Sequence, residues 1–480
     1  MSLPFRKRRF ASGRKPFVNE VDPVGKRLIG LVPQTGEPIF APKGHSLLLS
    51  ANGGGKTTAG SNVWLFSLLS STSRSAILLT DSKDGELAAQ SADMIADLGL
   101  PVAVIDDMGV FPADYRHRVS INPISAVVDT YLNAPDDLLY ANELFTHSMI
   151  EEPQDDARNR YFRSWPRLLV EFVTLMLLKR NPKLATPGGV WQVLSDPMML
   201  ANFAEIEAAE GEGMLRVLAR NILGMTRHEH WPQHCEAAEN ALRIFAIGTR
   251  LNKVGIGATT THFELIQKRA VIFLVGPQAH MSRLGPYYAL HLMGFINALY
   301  RKAGGLTLIG EEVTNAPLKP YVDALTTLRA FGGTEAHNIA QSRSEIEKKL
   351  GKHAVETIEE NAIVKQWFGF SGFTEAKLVS DMMGEQHAVQ QGLGADSESF
   401  RLQTNWSLIR QKWMSPAELM AMPAHQQLIH VKGVGFFVAD KISQNNIAPY
   451  CDLVAANPLE GGRLPSDPKL RFPLPTEAES

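Results

Sequence analysis

The residues best equipped for chemistry stand together at Ser50, Ala51, Asn52, Gly53, Gly54, Gly55, Lys56, Thr57 and Thr58. The run fits the phosphate-loop pattern G-x-x-x-x-G-K-[ST], with Ser50 in place of the first glycine. In such a loop backbone N–H groups converge on phosphate oxygens, and the helix behind adds its positive end. Three successive glycines permit the φ angles this nest requires. Lys56 would reach the β- and γ-phosphates of ATP, and the Thr57 hydroxyl would ligate Mg²⁺. A second acidic strand end must hold the metal and direct water. Leu306-Thr307-Leu308-Ile309-Gly310 runs straight into Glu311 and Glu312. Glu312 would orient or deprotonate the attacking water, and Glu311 would stand near the Mg²⁺ shell.

These residues need a frame. His45 to Leu49 reads as a buried strand before the glycine turn, followed by a helix through Trp64 and Leu69. Ala76 to Leu79 and Pro101 to Ile105 are further apolar runs, each ending in acidic residues. Strand, helix, strand at this spacing predicts a mostly parallel, doubly wound α/β sheet covered on both faces. After Asn122-Pro123 strand signals fade. Trp165, Leu169, Phe172 and Met176 fall at helical spacing, with Ser164 a candidate N-cap and Pro166 in the first turn. Strand signals return at Ala270–Val275, Leu306–Ile309, Asn338–Ala340, Val364–Phe370 and Leu428–Val431. The expected organisation is a basic arm (1–20), a nucleotide-binding domain in two parts (21–125 and 266–450), an inserted all-α domain (126–265) and a Pro-rich tail (451–480).

Composition narrows the function. At 480 residues the chain holds about two to four domains of roughly 150 residues. Forty-eight Lys and Arg against 50 Asp and Glu exclude a chain basic throughout, so nucleic-acid contact must come from a local patch. One such patch is the first fifteen residues, with Arg6, Lys7, Arg8, Arg9, Arg14 and Lys15; it is either a solvated arm or a contact for DNA or anionic lipid. Two cysteines, Cys235 and Cys451, exclude a disulfide scaffold and suit a reducing cytoplasm. The most membrane-like run, Leu168 to Leu178, carries Glu171 and is far shorter than the roughly 20 apolar residues of a spanning helix.

The order of motifs resembles the TraG/TraD family of coupling ATPases of type IV secretion and conjugation, relatives of RecA-like hexameric DNA translocases. "GHSLLLSANGGGKTT" is similar to the family's first strand and Walker A, and "AILLTDSKDGEL", with Asp81, Lys83 and Glu86, to its D-x-K-G-E-L strand. "RVSINPI" matches its asparagine-proline element at Asn122 and Pro123. "LIGEEVTN" resembles the L-D-E-F-x-N Walker B, placing Glu311, Glu312 and Asn315 on that pattern. "ALTTLRAFGG", "NIAQSRSEIEKKLG" and "RQKWMSPAEL" follow in the family's order, the last with Arg410, Pro416 and Glu418. The resemblance implies that Gln341 senses the γ-phosphate and that Arg329 is an arginine finger for a neighbouring subunit. It implies a homo-hexamer when active, although an isolated chain can stay monomeric. The implied partners are DNA without sequence preference, a relaxase, relaxosome or protein cargo, and the channel ATPases and inner-membrane components of the secretion system. The expected location is cytoplasmic, held peripherally at the inner membrane through partners.

Three departures matter. The two transmembrane helices with which family members usually begin are not expected in these residues, Glu311 replaces an aspartate where Mg²⁺ geometry is tight, and Ser50 replaces a glycine. They keep a second function open: a nucleotide-binding substrate receptor with little turnover. A third, an FtsK-type DNA translocase, fits the helical insertion and the "WMSPAEL" closure less well. His228, His230, His234 and Cys235 read as polar surface or partial core rather than zinc, since H-x-H-x-x-x-H-C fits no common site. Lys348, Lys349 and Lys352 read as a solvated face or a DNA-facing loop. Trp367 and Phe368 read as core. No Ser/His/Asp triad pattern is present.

Overall fold

The computed structural model describes residues 19–20, 25–71, 74–150, 157–312, 319–395, 402–459 and 461–475. The basic residues of the N-terminal arm and Asn315 lie outside this set. Short apolar runs form the frame: β1 (Asn19–Glu20), β2 (Leu28–Leu31), β3 (Pro38–Phe40), β4 (Ser46–Leu49), β5 (Ala76–Asp81), β6 (Val102–Ile105), β7 (Arg118–Val119), β8 (Val271–Val275) and β9 (Leu306–Gly310). They are followed by β10 (Glu335–Ala340), β11 (Val364–Trp367), β12 (Glu385–Ala395), β13 (Leu402–Lys412), β14 (Gln426–Val431), β15 (Gly435–Asp440), β16 (Ile447–Ala448) and β17 (Leu470–Arg471). Twelve of these build one sheet in the order β3-β2-β15-β14-β11-β4-β10-β9-β5-β8-β6-β7. From β11 to β7 every pairing is parallel, whereas β14, β15, β2 and β3 add an antiparallel wing. β14 is the strand expected at Leu428–Val431, but its antiparallel setting in this wing and the long β12–β13 pair have no counterpart among the strand signals of the sequence.

Alternation within each strand divides the core in two. Leu48, Ile77, Leu79, Phe273 and Ile309 face one side, against α1 (Asn62–Leu69) and α2 (Glu86–Asp97). Leu47, Leu49, Leu78, Ile272 and Leu308 face the other, where the long apolar helix Gly285–Tyr300 packs. Every residue of α1 is buried, which explains its lack of a polar stripe. Both faces of the parallel block are thus covered, so its strands read as continuous apolar runs.

Between β7 and β8 the described chain is helical: α3 (Ser125–Asn133), α4 (Leu138–Met149), α5 (Ala157–Arg180), α6 (Pro187–Leu194), α7 (Pro197–Glu210), α8 (Gly213–Met225), α9 (Trp231–Ala241) and α10 (His262–Gln267). In α5, Leu169, Phe172 and Met176 are fully buried. The N-terminal limit of this helix differs from expectation. It already runs at Ala157, which puts Pro166 inside it rather than in the first turn. One missing N–H costs a single rung, and the apolar face C-terminal to it outweighs the loss. No helix among the described residues is long and apolar enough to cross a membrane.

The segment expected as a tail also differs. Leu470 and Phe472 are fully buried, and β17 lies between β1 and β16 in a small parallel sheet. Five prolines mask the signal, but burying a Leu and a Phe contributes about 1.5–3 kcal/mol each, enough to hold the segment down. The remaining helices are α11 (Gly285–Tyr300), α12 (Lys319–Ala324), α13 (Arg343–Leu350), α14 (Lys352–Asn361), α15 (Phe373–Met383), α16 (Pro416–Met420) and α17 (Tyr450–Leu453).

Candidate functional site: a phosphate loop facing two carboxylates

β4 delivers Ser50 to the C-terminal edge of the sheet, where the Ser50 N–H donates to the Ala340 carbonyl at 3.1 Å. Gly53 and Gly55 adopt φ of +75° and +88°, a region open to glycine at no steric cost. Gly54 answers the substitution at position 50: a Cβ there would meet the Ser50 Oγ at 2.1 Å. The room of the missing first glycine is therefore recovered four residues later. The N–H groups of Asn52, Gly53 and Gly55 donate to no protein acceptor among the described residues, as an anion nest requires.

Behind the loop the chain turns at once into helix, first Lys56–Ser61 and then α1. Lys56 is buried, with its Nζ 3.1 Å from the Ser50 carbonyl and 3.9 Å from Glu312 Oε1. Burial lowers its ammonium pKa, Lys83 adds to the effect, and the two glutamates oppose it. The Thr57 hydroxyl donates to Glu311 Oε1 at 2.6 Å. Ala51 and Asn52 are exposed, and Thr58 is half-buried on the first turn.

β9 lies between β10 and β5, which brings both carboxylates opposite the loop. Glu311 is buried and its backbone carbonyl accepts from Thr80 Oγ1 at 2.9 Å. Glu312 holds a left-handed φ of +51°, a conformation that costs a non-glycine residue roughly 1–2 kcal/mol. That turn aims Oε1 at Lys56, at Lys83 (3.7 Å) and at Gln341 Nε2 (3.5 Å). Strain of this kind gathers at functional sites. Gln341 arrives from the end of β10, beside β9 and β4.

The structure thus brings Lys56, Thr57, Glu311, Glu312 and Gln341 together. Arg329 is not among them. It sits exposed on the turn Leu328–Ala330, near His45 at the opposite end of β4. Two lysines join the site instead. Lys83 pairs with Glu311 at 3.1 Å and with Glu312 at 3.7 Å; burial opposes its charge, but the glutamates outweigh this and raise its pKa. Its signal lay in the strand it follows, since β5 ends at Asp81 next to β9. Lys441, which reaches the Gly54 carbonyl, had no sequence signal. Asp81 and Glu86 serve structure: Asp81 accepts the Ala88 N–H at 2.8 Å, and Glu86 is bound by Asn457.

Thr57 and Glu311 offer hard oxygen donors of the kind Mg²⁺ selects, and two lysines balance two carboxylates around them. Elsewhere, Trp367 and Phe368 are buried, Lys348 and Lys352 are exposed, and Lys349 pairs with Glu345 at 3.2 Å. His234 and Cys235 are buried, and burial pushes the Cys235 thiol up to about 12. Among the described residues no three His, Cys, Asp or Glu side chains converge as a metal cluster. Glu418 has a local role, closing a capping box with Ser415 at the start of α16, and Pro416 opens that helix.

Residues 306–424 match the family model described as the TraM recognition site of TraD and TraG. Among solved structures, the bacterial conjugative coupling protein TrwBdeltaN70 in its unbound form superposes with a TM-score of 0.61 at 12% identity, covering 86% of this chain and 88% of that one. TrwB in complex with the non-hydrolysable ATP analogue ADPNP gives 0.60 at 12% identity, over 90% and 95%. TrwB with ADP and Mg²⁺ gives 0.58 at 12% identity, over 86% and 88%. Comparison with curated proteins gives no match. The matched segment spans β9, Gln341 and the β12–β13 pair, and the likeness to TrwB extends over most of the rest of the chain as a shared mixed α/β fold built on a mostly parallel sheet.

Proposed function

We propose that this chain is a coupling ATPase that delivers DNA or nucleoprotein to a type IV secretion system. The observation that carries this reading is the convergence of Lys56, Thr57, Glu311, Glu312 and Gln341 from three separate segments onto one loop whose Asn52, Gly53 and Gly55 amides have no protein acceptor among the described residues. Such a site suits phosphoryl transfer, where the protein supplies position and charge rather than covalent chemistry. The loop amides and Lys56 would take the phosphate charge of ATP, and Glu312 would direct water. Thr57 and Glu311 would hold Mg²⁺, whose charge would be shared with phosphate oxygens. Gln341, touching Glu312, would report the γ-phosphate to β10. Arg329, exposed and away from its own loop, would act as a finger towards a neighbouring copy in a hexamer. Fingers of that kind are worth about 10³–10⁵ in rate.

The likeness to TrwB, named as a conjugative coupling protein, supports this reading, as does the family model named for TraM recognition. The partners proposed are DNA bound through its backbone, a relaxosome or protein cargo, and the secretion channel's ATPases and inner-membrane components, which would hold the chain at the inner face of the membrane. The test is ATPase rate with and without single-stranded DNA. DNA should stimulate the wild type and not Lys56→Ala or Glu312→Gln; normal turnover in both variants would sink the motor.

One observation favours a second reading, a nucleotide-binding receptor with little turnover. Glu311 Oε1 bonds directly to Thr57 and to Lys83, and both contacts must open before that oxygen faces a metal. Nucleotide binding without turnover, with cargo binding kept in Glu312→Gln, would select this alternative.

A further inference from the structure

Lys441 follows β15 at the end of the antiparallel wing. Its Nζ donates to the Phe368 carbonyl at 2.7 Å and to the Gly54 carbonyl at 3.4 Å, and stands 4.8 Å from the centre of the Phe368 ring. Both ends of this contact are anchored. The Phe368 N–H donates to the Leu49 carbonyl at 3.0 Å, and the Lys441 N–H donates to the His425 carbonyl at 2.7 Å. One ammonium therefore ties the wing, the end of β11 and the phosphate loop together.

Elementary peptide geometry gives the contact a consequence. The Gly54 carbonyl and the Gly55 N–H belong to one planar trans unit and point in opposite directions. A cation on the oxygen turns that N–H away from Lys441. The Gly55 N–H is one of the loop amides with no protein acceptor among the described residues. A charge on the carbonyl also polarises the amide, strengthening what its N–H can donate. Lys441 differs here from Lys56 and Lys83, whose charges are met by Glu311 and Glu312. Burial lowers its pKa to about 8, and no acid pairs with it among the described residues.

We propose that Lys441 is a positioning residue of the phosphate loop, fixing the 54–55 peptide so that the Gly55 N–H is presented to a phosphate oxygen. The inference rests on reading the loop as a nucleotide site. It makes the wing part of the nucleotide machinery, so that a movement of β14–β15 would change the grip on phosphate.

The test uses the full chain and the variants Lys441→Met and Lys441→Arg, with magnesium-ADPNP titrations, steady-state ATPase and hydrogen exchange without nucleotide. Lys441→Met should weaken ADPNP binding about tenfold, the scale of one charge-assisted hydrogen bond. It should raise KM similarly and leave kcat within about twofold, because Lys441 does not touch the transferred group. The peptide covering residues 50–57 should exchange faster, with an unchanged melting temperature, and Lys441→Arg should recover most of the affinity. Wild-type affinity and exchange in Lys441→Met would overturn the proposal, as would a loss of kcat at constant KM, or no recovery by arginine. If the wild type binds no nucleotide while Lys56→Ala behaves identically, the reading of the loop has failed; the exchange comparison then decides alone whether Lys441 fixes it.

Discussion

β4 and β10 carry similar chemistry at both of their ends, and the two ends behave oppositely. At the C-terminal end Ser50, Lys56 and Gln341 open onto a loop whose Asn52, Gly53 and Gly55 amides have no protein acceptor among the described residues. At the N-terminal end Ser46 Oγ lies 3.1 Å from His337 Nδ1, and His337 Nε2 lies 3.5 Å from Glu335 Oε2. Serine, imidazole and carboxylate in that order have the form of a nucleophilic triad. Yet Ser46 and His337 are sealed in the core, beside Trp64, with Arg27 stacked 4.3 Å over the indole. Nothing can enter. Polar residues at a strand end become a site only where the backbone leaves the sheet through a loop whose own amides are unpaired; inside the sheet the same types are scaffold.

The sharpest way to break this comparison is to remove one hydroxyl or amine from each end. Lys56→Ala should lower ATP turnover about 10²–10³-fold, the scale of losing one charge-stabilising group. Ser46→Ala should leave turnover within about twofold and cost about 1 kcal/mol of stability, the usual worth of one internal hydrogen bond. A folded Ser46→Ala protein without activity would show that the sealed end is chemical after all.

Glu335→Ala should act on stability alone. Burial works against this carboxylate, but His337, Arg27 and the Gly44 N–H outweigh it and hold its pKa below the usual range. Removing it strands Arg27, which burial already lowers to about 9. The expected loss is about 2–4 kcal/mol in denaturant unfolding, with kcat of the folded fraction unchanged. A loss under about half a kcal/mol would mean the network carries no weight.

Acid should act on the sealed end and spare the loop. Burial lowers His337 to about 4, with Arg27 adding to it, so the folded ring stays neutral where an unfolded one, near 6.5, takes a proton. The unfolded state then binds more protons between these values, and stability is lost as pH falls from about 6.5 towards 4. The contribution is about 3 kcal/mol at the upper end of that window. Urea midpoints across pH 4–7 should show that slope, and His337→Gln should make it shallower by this histidine's share, leaving the part due to the buried His262 and His291.

The same contrast explains what the sequence could reveal. Gly53, Gly55, Lys56 and Thr57 were legible because a phosphate nest needs special φ angles and fixed spacing, which leave a local pattern. Glu311 and Glu312 were legible because an apolar run ended in two acids. Lys83 was visible as a residue but not as a partner, since its role depends on β5 lying beside β9, a fact of strand order. Lys441 comes from the far side of the sheet and left no local trace. The buried tail at Leu470 and Phe472 was hidden by prolines, because two apolar residues suffice for a two-residue strand. Pro166 misled in the same way: a start signal was read where packing of α5 had already decided the helix.

The smallest effect concerns one methylene. Glu311 stands where the resemblance has an aspartate, and its length lets Oε1 reach the Thr57 hydroxyl at 2.6 Å while Lys83 holds the same oxygen at 3.1 Å. Glu311→Asp withdraws the carboxylate by roughly 1.5 Å, the length of one carbon–carbon bond. Thr57 is then released from its protein acceptor and both donors are free to face a cation. If the motor reading is right, this variant should turn over ATP about two- to fivefold faster and need less Mg²⁺ for half-maximal rate. The receptor reading expects tighter Mg²⁺ dependence of binding with turnover still near zero. A slower Glu311→Asp enzyme would defeat both, because it would mean that the longer side chain, and its bond to Thr57, belongs to the working state of the site.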